Sequence, residues 1–81
     1  MKEKYADFIK FLITQAKQRG KTKEMIIEFN RVSMINAVRA YFEYKSENTV
    51  HDTLEYFFKE RYLDVTLYGF KLSDKAKKEF W

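Results

Sequence analysis

The 81-residue chain contains no cysteine, no proline, a single histidine and only two glycines. Without cysteine there is neither a disulfide framework nor a thiolate metal site. Two glycines do not build a phosphate-cradling loop, and no complete Walker or GxGxxG pattern occurs. The histidine, His51, sits in Thr49-Val50-His51-Asp52, which holds no second His or Glu as a metal partner. It is expected to be a solvent-facing residue in the first turn of a helix. No run of about 18 apolar residues exists to span a bilayer. The segment Met1-Lys2-Glu3-Lys4 leads into a charged amphipathic pattern, unlike the apolar core of a signal peptide. Twelve carboxylates are present, but they are spread along polar faces with no spacing that pairs them for acid–base work. These absences predict a soluble cytoplasmic chain that is not an enzyme and carries no cofactor and no metal.

What is abundant is aromatic. Eight Phe, six Tyr and one Trp, within 46% hydrophobic residues overall, supply enough apolar area for a core. A net charge of only +4 adds little repulsion, so intrinsic disorder is excluded. The length allows one domain, burying about 60% of the surface exposed by the unfolded chain.

Tyr5, Phe8, Ile9, Leu12, Ile13 and Ala16 recur with helical spacing, predicting a helix from about residue 3 to residue 19 that stops at Gly20. Thr22 is expected to cap a short second helix, with Met25, Ile26 and Phe29 pointing inward. Ser33 is expected to cap a third, running through Met34, Ala37, Val38, Tyr41 and Phe42. After the polar stretch 44–48, Asn48 or Thr49 caps a fourth, with Val50, Leu54, Phe57 and Phe58 as its apolar face. From Asp64 the period changes to two, which reads as a strand in which Gly69 marks a bulge or bend. Ser73-Asp74 opens a last short helix. The fold class is therefore mainly α, a single domain over residues 1–81 with one C-terminal strand and a short terminal helix. A half-apolar strand does not stay unpaired, which predicts a homodimer formed through it.

Charge is uneven along this order. Residues 1–40 hold nine Lys/Arg against four acids, whereas 41–64 hold three against six. The densest run is Lys17-Gln18-Arg19-Gly20-Lys21-Thr22-Lys23, the kind of electrostatic footprint left by phosphate contact.

The segment from Gly20 to Leu67 resembles a divergent helix-turn-helix of the phage Cro and repressor family. The resemblance rests on Gly20-Lys21-Thr22-Lys23-Glu24 as the start of the first helix and Val32-Ser33 as the opening of the recognition helix. A polar loop and further helix at 45–54, and Tyr62-Leu63-Asp64-Val65-Thr66-Leu67 as tyrosine and closing strand, complete it. The pattern departs at Arg31, where the family usually has Gly in the turn, and at Ile27, where a small residue is common. The resemblance implies a helix-turn-helix core over about 20–62, strand and tail over 63–81, and a transcriptional regulator binding duplex DNA. Asn36 and Arg39 would read base edges, Ser33 would lie between capping and phosphate contact, and Thr22, Lys23 and Lys45 would hold phosphates.

Two rival readings follow from the same residues. The greasy character of Met34, Ile35, Tyr41 and Phe42 suits a small phage- or plasmid-type protein that inhibits a host protein. Phe11, Ile35, Tyr56, Tyr68, Phe70 and Trp81 would form its contact patch. Alternatively, Asp64–Leu72 with the helix after it is similar to the wing strand and following helix of a winged-helix protein, although no hairpin partner is visible in the sequence.

Overall fold

A computed structural model of the chain describes residues 1–81. The elements are α1 (Glu3–Gln18), β1 (Glu28–Asn30), α2 (Arg31–Phe42), α3 (Glu47–Lys59), β2 (Leu63–Val65), β3 (Gly69–Leu72) and α4 (Asp74–Phe80). The fold is mainly α, with a small three-stranded antiparallel sheet in the order β1-β3-β2.

Helix α1 buries Phe8, Ile9, Leu12, Ile13 and Ala16, five of the six residues of the stripe expected from the sequence; Tyr5, the sixth, is half-buried. It ends as a Schellman motif. Gly20 adopts φ +80°, its N–H donates to the Lys17 carbonyl at 3.0 Å, and the Lys21 N–H donates to the Ala16 carbonyl at 3.0 Å.

The expected second helix does not form. After a turn in which the Met25 N–H donates to the Thr22 carbonyl at 3.1 Å, the chain enters strand β1. The physical reason is period. Ile27 is buried and Phe29 half-buried, while Met25, Ile26, Glu28 and Asn30 are exposed, so the inward residues are two apart instead of three or four. Strand β1 passes directly into α2, whose cap is Asn30 and not Ser33. The Asn30 Oδ1 accepts from the N–H groups of Val32 and Ser33 at 2.8 and 3.3 Å, which places Ser33 inside the first turn.

Helix α2 ends at Glu43, which takes the left-handed conformation (φ 57°), and residues 43–46 connect it to α3, which starts behind Ser46. Helix α3 buries Val50, Thr53, Leu54 and Phe57. The Thr53 hydroxyl is satisfied by the Thr49 carbonyl at 2.9 Å. Phe58, expected on this apolar face, is instead 49% exposed. Tyr5, Phe8, Phe42 and Phe57 stack between α1, α2 and α3 with ring centroids 5.3–5.7 Å apart, so aromatic contacts join the three helices.

The single strand expected near the C-terminus is a hairpin. Leu63, Asp64 and Val65 pair with Leu72, Lys71 and Phe70, and the turn closes where the Thr66 N–H donates to the Gly69 carbonyl at 2.9 Å. Gly69 marks no bulge. It lies in register with Asn30, and a Cβ there would overlap the Phe29 carbonyl oxygen and stand 2.5 Å from the Arg31 nitrogen. Only glycine lets β1 come this close.

The hairpin partner missing from the winged-helix reading is therefore present. Helix, strand, two helices and a hairpin follow one another, and the two helices with no strand between them are α2 and α3. That pair lies one helix later than the repressor resemblance places it. The strand's hydrogen bonding is met within the chain, so the reason for expecting a dimer through it falls away. No helix is long and apolar enough to cross a membrane.

Helix α4 is capped by Ser73, whose Oγ accepts from the Ala76 N–H at 3.0 Å. Polar contacts fasten it at three places. The Lys77 ammonium, nearly buried, donates to the Met25 carbonyl at 2.7 Å and so anchors the 19–27 loop. Lys75 donates to the Glu60 carbonyl at 2.8 Å, and the Tyr62 hydroxyl donates to Glu79 at 2.9 Å.

Candidate nucleic-acid interface

The six residues assigned to DNA contact lie in three different settings. Thr22 and Lys23 are exposed on the loop between α1 and β1, and Lys45 is exposed on the α2–α3 connection. Ser33 and Asn36 are also exposed, but they form the α2 wall of a cleft of about 440 Å³ whose opposite wall is α1. They do not stand on a free ridge opposite Ala37, which lines the same cleft. Arg39 is half-buried and committed: its guanidinium donates to Glu47 at 3.4 Å, across the connection to α3.

In this fold the second helix of the pair, α3, presents an acidic outer side. Glu47, Asp52 and Glu55 are exposed there with His51, against a single Lys59. Two of these carboxylates have cationic partners, Glu47 with Arg39 and Glu55 with Lys59 at 2.8 Å. The hydrogen bond and charge of Lys59 hold the Glu55 carboxyl below its ordinary value, and Lys59 is raised in turn. The hairpin tip, Leu67-Tyr68, carries no charge, and Leu67 is fully exposed.

The basic surface lies elsewhere. Residues 1–27 and 71–81 hold eleven Lys/Arg against five Asp/Glu, while residues 28–70 hold five against seven. The fold brings the basic segments together. Lys10 lies 5.8 Å from the Phe80 ring and Lys17 lies 5.4 Å from the Trp81 ring, so both lysines flank the seam between α1 and α4. The Lys77 bond to Met25 sets the 19–27 loop, with Lys21 and Lys23, beside the same helix. Lys78 is exposed on α4 itself. The run 17–23 was legible as a footprint, but Lys10 and Lys78 join it only through packing of chain segments some sixty residues apart.

The expected aromatic patch is largely covered. Phe70 is buried, Phe11, Ile35, Tyr56 and Trp81 are half-buried, and only Tyr68 is exposed. A different apolar groove of about 240 Å³ runs between α3 and the hairpin, with Phe58 and Val65 each about half exposed beside Ile35 and Leu54. Their signal in the sequence is weak. Phe58 reads as core because it adjoins Phe57, and Val65 because it alternates with buried Leu63.

No protein-family model matches the chain, and comparison with curated proteins and with solved structures finds no similar protein.

Proposed function

We propose that the chain is a small DNA-binding regulator that contacts duplex DNA through the basic side formed by α1, the 19–27 loop and α4. The observation that carries this reading is the segregation of charge: nine cations against five acids on α1, the 19–27 loop and α4, and seven against seven on the rest. Lysines that neutralise phosphates release condensed counterions, which supplies affinity without sequence information. Lys10, Lys17, Lys21, Lys23 and Lys78 are the contacting groups in this proposal, and Thr22 keeps its assigned place beside them. Asn36 and Arg39 are not base readers in it, and Ser33 is not a phosphate contact. The first lines a recessed cleft, the second is paired to Glu47, and the third lies within the capped first turn of α2. Groove reading by α3 is disfavoured because its carboxylates would approach phosphates.

The test is fluorescence anisotropy on a labelled generic duplex. Lys17→Gln with Lys78→Gln is expected to lower the slope of log affinity against log salt by about 2. A slope unchanged in that double variant would remove the assigned surface.

The groove between α3 and the hairpin favours a second reading, a partner protein bound through Phe58 and Val65. Phe58→Ser separates the two, since it would weaken partner binding and leave DNA affinity unchanged.

A further inference from the structure

None of the five lysines of the DNA reading lines the cleft between α1 and α2, although Arg19 at the start of the 19–27 loop does, and the cleft's side chains are chemically selective. Leu12, Gln15 and Arg19 follow at i, i+3 and i+7 along α1 and its C-terminal cap, so they share one stripe. Ser33 and Asn36 face them from α2, and Glu28 contributes from β1. The floor is apolar, with Leu12 and Met34 buried at 1% exposure and Phe29 half-buried beside them. Its volume of about 440 Å³ falls in the range of roughly 300–1,000 Å³ typical of small-molecule sites.

Apart from Asn30, whose Oδ1 caps α2, the polar side chains there are not used by the fold. Gln15, Arg19, Glu28, Ser33 and Asn36 make no side-chain hydrogen bond within the protein. Arg19 and Glu28 line this cleft and the smaller one adjoining it, and they form no ion pair with each other or with any other group. One guanidinium, one carboxylate, two unused amides and the hydroxyls of Ser33 and Tyr68 thus line a cleft that also holds apolar side chains. A guanidinium offers a planar fork to a carboxylate, and the carboxylate of Glu28 accepts from an ammonium. An anion alone would leave Glu28 facing it, and a cation alone would face Arg19.

We propose that this cleft binds an amino-acid-type zwitterion with an apolar or aromatic side chain, its carboxylate on Arg19, its ammonium on Glu28 and its side chain on the Leu12–Met34–Phe29 floor. Gln15, Ser33 and Asn36 supply the remaining hydrogen bonds. The proposal is independent of DNA binding.

The test is a ¹H–¹⁵N correlation titration of the full chain with L-phenylalanine to about 10 mM, a concentration that detects millimolar affinity. The side-chain amides of Gln15 and Asn36 and the backbone of residues 28–37 are expected to shift together. Phenethylamine, which lacks the carboxylate, and 3-phenylpropionate, which lacks the ammonium, are each expected to bind about tenfold more weakly. Arg19→Gln should erase the difference between phenylalanine and phenethylamine, and Glu28→Gln the difference from 3-phenylpropionate. Both positions are exposed, so the folded chain is retained for comparison. The absence of shifts at Gln15 and Asn36, or either analogue binding the unaltered chain as well as phenylalanine does, would overturn the proposal.

Discussion

The Arg39 guanidinium sits 3.4 Å from the Glu47 carboxylate and ties the last turn of α2 to the first turn of α3. Both side chains are partly solvated, so the pair contributes between zero and about 1 kcal/mol. Arg39→Ala is accordingly expected to lower stability in urea by less than about 1 kcal/mol. Its effect on DNA affinity should be under about twofold, because the arginine is not on the contacting side. A larger loss of affinity, with the fold intact, would restore Arg39 to the interface.

The two glycines should respond differently to alanine, for different reasons. At Gly20 there is open space but a left-handed backbone, and the conformational cost is about 1–2 kcal/mol. At Gly69 the added methyl group meets the backbone of β1, which cannot swing aside without breaking its pairing with β3. Gly69→Ala is expected to cost about 3 kcal/mol or more, at the upper end of overpacking effects. Urea denaturation of both variants ranks them, and equal losses would mean that β1 and β3 are not in this close register.

Lys77 gives a third expectation. Its ammonium is nearly buried against the Met25 carbonyl, and Lys77→Met keeps the hydrocarbon stem while deleting that bond. Loss of about 1–2 kcal/mol is expected. Faster amide exchange should appear through residues 21–27, and exchange unchanged there would show that the loop is held by something other than α4.

Tyr62 supplies a pH dependence. Burial, followed by the hydrogen bond to Glu79, pushes its phenol up to about 12 from the ordinary 10.0. Because the folded value lies above the unfolded one, this contribution is complete below pH 10 and fades as pH rises towards 12. Thermal melts between those limits should show falling stability, and Tyr62→Phe should flatten the fall. An unchanged slope in that variant would assign the alkaline loss to other groups.

How far the sequence reveals this fold depends on how local the deciding contact is. Helix α1 was legible to within a residue, because its five-residue apolar stripe and the Gly20 cap both lie inside the segment. The stretch 25–29 was not. Met25-Ile26-Ile27-Glu28-Phe29 accommodates a helix with 25, 26 and 29 inward or a strand with 27 and 29 inward. What decides is the vacant edge of β3 some forty residues later, and the missing side chain at Gly69 that admits β1 to it. The same holds for function. The basic run 17–23 is visible as a run, whereas Lys10 and Lys78 become its neighbours only when α4 packs on α1. Arg39 looked free because its partner lies across the α2–α3 connection, and Asn36 looked outward because nothing local shows α1 standing opposite it.

The most direct measurement is the affinity of the unaltered chain for a generic duplex at about 50 mM and about 200 mM salt, with folding checked by circular dichroism. Contact with three or more phosphates predicts a loss of at least about thirtyfold between the two concentrations. A folded chain that fails to bind at the lower concentration, or binds with an affinity indifferent to salt, would contradict the assignment of the α1–α4 side to DNA.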